Sequence, residues 1–434
     1  MLYYFRKNYK RILVGAVVLS SFVTVMINSF FGHTIRENAK RASIDKMQTL
    51  LRNDLTKYIL KENRYPKTLK LDKVDFEIFY SINPDLQAYV ENLLQQHKSD
   101  FASIVVLNNN TGEILAASGF ERETNSFNLK LVFSSDHPSA SLFKIITSAN
   151  LFEEAGLNKD SLIPYSGRPT TLYKSQLREN NSRWTRFQTL GKAFAVSNNV
   201  VFAKAALKNL NSIDLMNKAN RFGFNQALML DLNLGTSKLM EPTDQYGMAE
   251  FASGFNVETT IGPIHGAILA SIIANKGVLR YPRIIAGIKN SITFETIKLF
   301  EKPDRQVLNE KSARELSGLM ENTIFEGTAR SSFRKMSKGL KESLKIGGKT
   351  GSITGGEPFG KRDWFTAFAS LRNGQEGSGI SVCVMNININ KWYIKSTYLA
   401  KNVIEYYYQK TNKDHPGLSQ QTSKKHKNDG IRGS

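Results

Sequence analysis

The chain has 434 residues, 41% of them hydrophobic, a formal net charge of +21 and one cysteine, Cys383. That length and apolar content exclude a disordered chain and allow one large or two ordinary domains, while a lone cysteine excludes an intrachain disulfide and a cysteine-based metal site. The charge suits anionic surfaces such as lipid headgroups or cell-wall polymer; with no zinc-type Cys/His spacing and no aromatic-plus-basic motif, it does not point to nucleic acid.

Residues 12–31 carry no charge and are flanked by Arg6, Lys7, Lys10 and Arg11 on one side and by His33, Arg36 and Glu37 on the other. A helix of that length crosses the roughly 30 Å of a bilayer's hydrocarbon core. The run is too long for a signal-peptide h-region and no A-x-A-like site follows it. An uncleaved membrane anchor is expected, with residues 1–11 in the cytoplasm and everything after Phe31 outside it. From Ser43, apolar Ile44, Met47, Leu51, Leu55, Tyr58 and Ile59 recur at helical spacing. Residues 76–82 read as a short strand, and Asn83-Pro84 opens a helix carrying Leu86, Val90, Leu93 and Leu94. Residues 32–100 are read as a spacer without chemistry of its own.

Two β-rich runs, 103–107 and 113–117, flank an Asn- and Gly-rich turn and predict a hairpin. Residues 142–155, closed by Gly156, are apolar on more than one face, the pattern of a helix buried inside a domain. Helical and loop-rich sequence continues to about Asn322. Strand-like runs follow at 344–352, 364–371 and 380–389, the last holding Cys383 as a buried thiol, and then a packed helix over 393–408. Strands at both ends with helices between predict an α/β (α+β) domain over residues 101–409: a central antiparallel sheet of about five strands, gathered from distant parts of the chain and covered by helices on both faces. Residues 410–434, rich in Lys, Gln, Ser and Asn, read as a basic disordered tail.

Three strings carry chemistry: Ser141-Leu142-Phe143-Lys144, Ser197-Asn198-Asn199 and Lys349-Thr350-Gly351-Ser352. A serine hydroxyl is a weak nucleophile and needs a base within hydrogen-bond reach. Residues three apart share a helix face, so Lys144 meets Ser141, and its apolar neighbours favour the neutral amine that can take a proton. Pro138 and Ser139 place Ser141 near a helix N-terminus, where backbone N–H groups favour negative charge. S-x-x-K also occurs at Ser43–Lys46 and Ser332–Lys335, but in amphipathic or charged surroundings. Ser197 and Asn199 interrupt an apolar stretch; the hydroxyl can relay a proton to a leaving amine and the amide can hold a substrate backbone amide. An ordinary helix N-cap is the plainer account of that triplet. K-T-G occurs once, at the end of a β-run whose glycines permit close backbone approach. An extended peptide can add to that edge, with its terminal carboxylate met by Lys349 and Thr350. The N–H groups of Ser141 and Ser352 are the candidate oxyanion hole. No metal or cofactor is called for.

With these three strings in this order, the chain resembles the transpeptidase domain of penicillin-binding proteins. The likeness extends to Ser81-Ile82-Asn83-Pro84, to residues 103–118, to the stretch from Gly254-Phe255-Asn256 to Val278, to Gly327-Thr328-Ala329 and to Asp363-Trp364-Phe365. It departs at Pro138-Ser139-Ala140, where the family often has Pro-Gly directly before the nucleophile. The resemblance implies a transpeptidase/β-lactamase-like fold and an acyl-serine enzyme. Ser141, Lys144, Ser197, Asn199 and Lys349 would be catalytic, and Thr350, Gly351 and Ser352 substrate-binding. Such an enzyme would take a peptidoglycan stem peptide ending in D-alanyl-D-alanine, be inhibited by β-lactams and cross-link cell wall. Residues 32–100 are too few for a glycosyltransferase domain, so a polymerase partner is expected. A D,D-carboxypeptidase, a serine β-lactamase and an acylatable sensor or scaffold share the same strings. The lactamase lacks support because Glu241-Pro242 is followed by Gln245, where the class A pattern has Asn.

Overall fold

A computed structural model describes residues 44–414, apart from 72, 98, 180–182, 298, 300 and 375–378. The chain divides into two compact units, Met1–Asp54 and Leu55–Ser434. Residues 44–54, the described part of the smaller, are helical. The anchor expected at 12–31 lies outside the described residues, among which no helix is long and apolar enough to cross a membrane.

The larger unit runs in chain order through strands β1 (Thr68–Leu71) and β2 (Val74–Tyr80), helix α1 (Pro84–Gln96), and strands β3 (Phe101–Asn108), β4 (Ile114–Glu121) and β5 (Ser126–Phe127). Helices α2 (Lys144–Glu153), α3 (Asn199–Asn209), α4 (Gln245–Ser253) and α5 (Pro263–Ala274) follow, then strands β6 (Ile285–Asn290) and β7 (Thr296–Ile297) and helix α6 (Glu310–Phe325). Strands β8 (Leu344–Thr354), β9 (Lys361–Leu371) and β10 (Ile380–Asn388) lead to the last helix, α7 (Ser396–Asp414). Local chemistry explains several boundaries. Asn83 caps α1 by accepting the Leu86 N–H at 3.0 Å, with Pro84 in the first turn where its missing N–H is harmless. In the β3–β4 turn, Asn108 Oδ1 accepts from the N–H of Asn110 and Thr111, and Gly112 takes a φ of +73°.

A six-stranded sheet in the order β8-β9-β10-β3-β4-β5 forms the centre, antiparallel throughout; five long strands carry it and β5 adds a two-residue edge. One face packs under α1 and α7 through a continuous core that includes Leu86, Val90, Leu399 and Val403 with Ile104, Val106, Ala367 and Val382. On the other face lies α5, buried from Pro263 to Ile273, with only His265 and Ser271 interrupting its apolar sequence. It lies close because Gly266 has no side chain: a methyl group there would sit 2.5 Å from Cys383 Sγ, and Thr366 Oγ1 donates to the Gly266 carbonyl at 2.5 Å. Burial pushes the Cys383 thiol pKa up, in keeping with a packing role.

Two segments differ from the sequence expectation. Strands β1 and β2, which lie in the stretch expected as a separate spacer, form a four-stranded sheet with β6 and β7, and Ile78 pairs with Ile288. Together with α1, which shares the main core, they are built into the same unit as the central sheet. Helix α7 continues to Asp414, past Lys410, where the tail was expected to begin. The rest of that tail lies outside the described residues.

Candidate active site

Ser141 stands in a 3₁₀ turn, Ala140–Phe143, that runs directly into α2. An α-helix was expected here; in the tighter turn residues i and i+3 eclipse, which sets the lysine more squarely over the serine. Lys144 Nζ lies 2.7 Å from Ser141 Oγ. The approach to the turn is clamped, because Trp364, fully buried on β9, donates its indole N–H to the Pro138 carbonyl at 2.9 Å and the Ser139 N–H donates to the Thr259 carbonyl at 2.8 Å. Ala140 takes a left-handed φ of +49°, the backbone region that glycine enters most easily. That is the position where the related pattern carries glycine.

Lys144 is fully buried and has three oxygen neighbours: Ser141 Oγ, Asn199 Oδ1 at 2.7 Å and the Ser253 carbonyl at 2.5 Å. Only the hydroxyl among these can donate. A neutral amine has two N–H groups and one lone pair, so its donors match Asn199 Oδ1 and the Ser253 carbonyl while its lone pair faces the Ser141 O–H. Burial lowers the Lys144 pKa well below the usual lysine range, and repulsion from Lys349 lowers it further. The site therefore favours the amine in its proton-accepting form.

The second string separates into three jobs. Asn198 is the cap of α3, accepting the Val201 N–H at 3.2 Å, so the plain account of the triplet holds for its middle residue. Ser197, at a left-handed φ of +59°, turns inward and accepts a hydrogen bond from Lys349 Nζ at 2.8 Å. Asn199 was expected to hold substrate. In the structure its carbonyl oxygen serves Lys144 and its Nδ2 donates to the Thr170 carbonyl at 3.2 Å, leaving one amide hydrogen unassigned.

Lys349 is fully buried too, and desolvation lowers its pKa to about 7. It projects from β8, which is the edge of the sheet, so one side of this strand is unpaired among the described residues. A methyl group on Gly351 would lie 3.2 Å from the Ala140 Cβ and 3.4 Å from the Ser141 backbone nitrogen; the strand passes within contact of the Ser141 turn. Thr350 Oγ1 is 2.6 Å from Thr328 Oγ1. Ser141, Ser197, Asn199, Thr350, Gly351 and Ser352 all line one cleft. Lys144 and Lys349 stand behind it, connected through Ser141 and Ser197.

Two participants escaped the sequence reading. The Ser253 carbonyl is a backbone group and leaves no trace in residue identity; its signal is Gly254, which ends α4 at a φ of +66°. Thr328 stood in a turn already marked by Gly327 but carried no assigned task. Gly254→Ala should be severe, since the new Cβ would fall 2.0 Å from the Ala140 carbonyl oxygen at a backbone angle unfavourable to alanine. We expect a loss of about 2–3 kcal/mol in chemical denaturation, from strain and displacement of the Ser141 turn together.

The chain is 25% identical over 279 residues to stage V sporulation protein D of Bacillus subtilis (strain 168), an alignment spanning 62% of this chain and 42% of that protein. It thus covers less than half the length of that relative. Penicillin-binding protein A of M. tuberculosis, solved as an imipenem acyl-enzyme complex, superposes with a TM-score of 0.58 at 20% identity over 80% of this chain and 82% of that one. The D,D-transpeptidase domain of a peptidoglycan glycosyltransferase from Eggerthella lenta gives 0.60 at 20% identity over 77% and 84%. Residues 102–385 match the penicillin binding protein transpeptidase domain, and on that match the chain belongs to this family.

Proposed function

We propose that the chain is a serine-type D,D-transpeptidase that cross-links peptidoglycan stem peptides from the outer side of the cell membrane. The observation that carries this reading is the Lys144 environment: a desolvated amine 2.7 Å from Ser141 Oγ, with two pure acceptors placed to take its hydrogens. Ser141 Oγ attacks the carbonyl between the two terminal D-alanines, and its proton passes to Lys144. The N–H groups of Ser141 and Ser352 receive the oxyanion, each donor worth about 10²–10³ in rate. As the C–N bond breaks, the departing amine takes up the proton that Lys144 received, handed on by way of the Ser197 hydroxyl that Lys349 holds in place, so that Lys144 and Ser197 both end in their starting protonation states. D-alanine leaves and the acyl group remains on Ser141. An amine of a neighbouring stem peptide then attacks the ester, its proton returns through the same groups, and Ser141 is freed.

Lys349, as a cation, and Thr350 suit the terminal carboxylate of the donor, while the spare Asn199 amide hydrogen suits a donor carbonyl. The acyl-enzyme that penicillin-binding protein A of M. tuberculosis forms with imipenem supports capture of β-lactams by this chain. Membrane attachment through residues 12–31 and a separate glycan polymerase as partner belong to this proposal. The test is purified full-length protein supplied with polymerised glycan. Cross-linked product is expected, and a correctly folded, penicillin-acylated protein that yields none would favour a sensor or scaffold. Release of D-alanine without cross-links, even with an added amine acceptor, would mark a carboxypeptidase.

A further inference from the structure

A buried cation with no place in the cleft lining holds the turn that joins β8 to β9. Arg362 is fully buried, and its hydrogen bonds go to main-chain carbonyls rather than to a carboxylate. Its Nη1 donates to the Gly355 carbonyl, and its Nη2 to the carbonyls of Glu357 and Pro358 at 2.8 and 3.0 Å. All three oxygens belong to the β8–β9 turn, and no main-chain N–H among the described residues donates to any of them. Within the turn one backbone bond is described, from the Gly355 N–H to the Gly360 carbonyl at 3.1 Å. Behind the guanidinium, His137 Nδ1 lies 3.5 Å from Nη2. Arginine only donates, so the imidazole faces it with a lone pair. Burial, with repulsion from Arg362, lowers the His137 pKa to about 4, which keeps that ring neutral.

The turn is packed as well as bonded. Gly356 takes a φ of +76°, and a methyl group there would sit 2.7 Å from both Arg362 Cζ and Pro138 Cδ. One on Gly355 would sit 2.7 Å from Val257 Cγ1. Pro138 leads into the Ser141 turn and Val257 lines the cleft, so the β8–β9 turn rests against both. The ladder between the two strands ends in the rungs Ser352–Asp363, Ile353–Arg362 and Thr354–Lys361. Strand β8 is an edge, so β9 alone holds its end, and a loosened turn frays those rungs first. Ser352 stands on the third of them. An oxyanion donor acts only while it stays aimed at one point. We propose that Arg362 is a positioning residue for acylation: by gathering three turn carbonyls it keeps the end of β8 paired and the Ser352 N–H directed at the oxyanion. The planar fork of a guanidinium spans such a set, whereas an ammonium is a single point with a different reach.

This inference rests on the acyl-serine reading and adds a residue to it. The test follows the full chain reacting with labelled penicillin by rapid mixing, which gives the saturating acylation rate and the half-saturating concentration separately. Arg362→Lys keeps the charge and loses the fork. Its saturating rate should fall about 10- to 100-fold, part of what a whole oxyanion donor contributes, while half-saturation stays within about twofold. Gly356→Ala presses on the guanidinium from the other side and should reproduce that split, which keeps the test open if the lysine variant does not fold. Val403→Ala, in the core under α7, is the control for stability alone: its melting temperature should fall and its saturating rate should stay near the parent's. A parental rate in the folded variants, a loss carried by half-saturation alone, or an equal rate loss in Val403→Ala would overturn the assignment. Failure of the acyl-serine reading is distinct, because the unmodified chain would then capture no penicillin at all.

Discussion

Ser141→Ala is expected to abolish covalent capture of labelled penicillin and every acyl-transfer product, while thermal unfolding moves little. The hydroxyl supplies the only atom in the scheme that bonds to the acyl carbon, so no neighbour can substitute for it. Ser197, another hydroxyl in the cleft, is held by Lys349 and has no contact with Lys144 among its hydrogen bonds. The effect on stability is limited because Lys144 keeps the two acceptors that match its amine hydrogens, Asn199 Oδ1 and the Ser253 carbonyl. One side-chain hydrogen bond is lost, worth about 1 kcal/mol. Gel fluorescence and intact-mass measurement after exposure to labelled penicillin, alongside a melting curve, separate the outcomes. A Ser141→Ala variant that still gains the mass of the β-lactam at the parental rate would remove the nucleophile from the scheme.

The same residues show why part of this site can be read from sequence and part cannot. Ser141, Lys144, Ser197 and Lys349 stand out because each is a polar group placed where an apolar core is otherwise being built. The spacing of the first pair is a local property that a helical turn converts into contact. Neither Ser253's carbonyl nor the edge position of β8 is local. Every residue has a carbonyl, and β8 is an edge only because β9 pairs with β10, and β10 with β3 from the other end of the chain. The 3₁₀ geometry of Ala140–Phe143 was hidden for a similar reason: it follows from Trp364 gripping Pro138 and from β8 pressing Gly351 against Ala140, both long-range contacts. The supposed spacer went astray in the same way. Strand β2 was visible in its sequence, but its partner β6 lies far along the chain, and pairing rather than propensity decides which unit a short strand joins.

Replacing Lys144 with arginine should lower the acylation rate by about 10²–10⁴ across the accessible pH range. Arginine keeps the positive charge but does not release its proton, so it can still donate to Ser141 Oγ and cannot accept from it. In the parent, acylation should rise as pH climbs through the depressed Lys144 pKa, because only the neutral amine takes the serine proton. It should fall again as Lys349 loses its proton at about 7, since the cation that meets the donor's terminal carboxylate is then gone. Lys349→Gln tests both limbs with opposite expectations. The alkaline limb disappears, with weaker overall rates, and the acid limb moves to higher pH because the charge that repelled the Lys144 ammonium has been removed. Asp363, raised by burial to about 6, lines the same cleft and titrates near this window, and Glu250, raised by burial and by the nearby carboxylates of Asp244 and Glu258, lines it too. The profile is therefore repeated in Asp363→Asn and Glu250→Gln, where the limb assigned to Lys349 should persist. An acid limb that moves to lower pH in Lys349→Gln, or an arginine variant of parental speed, would mean that the proton leaves Ser141 by a route other than Lys144.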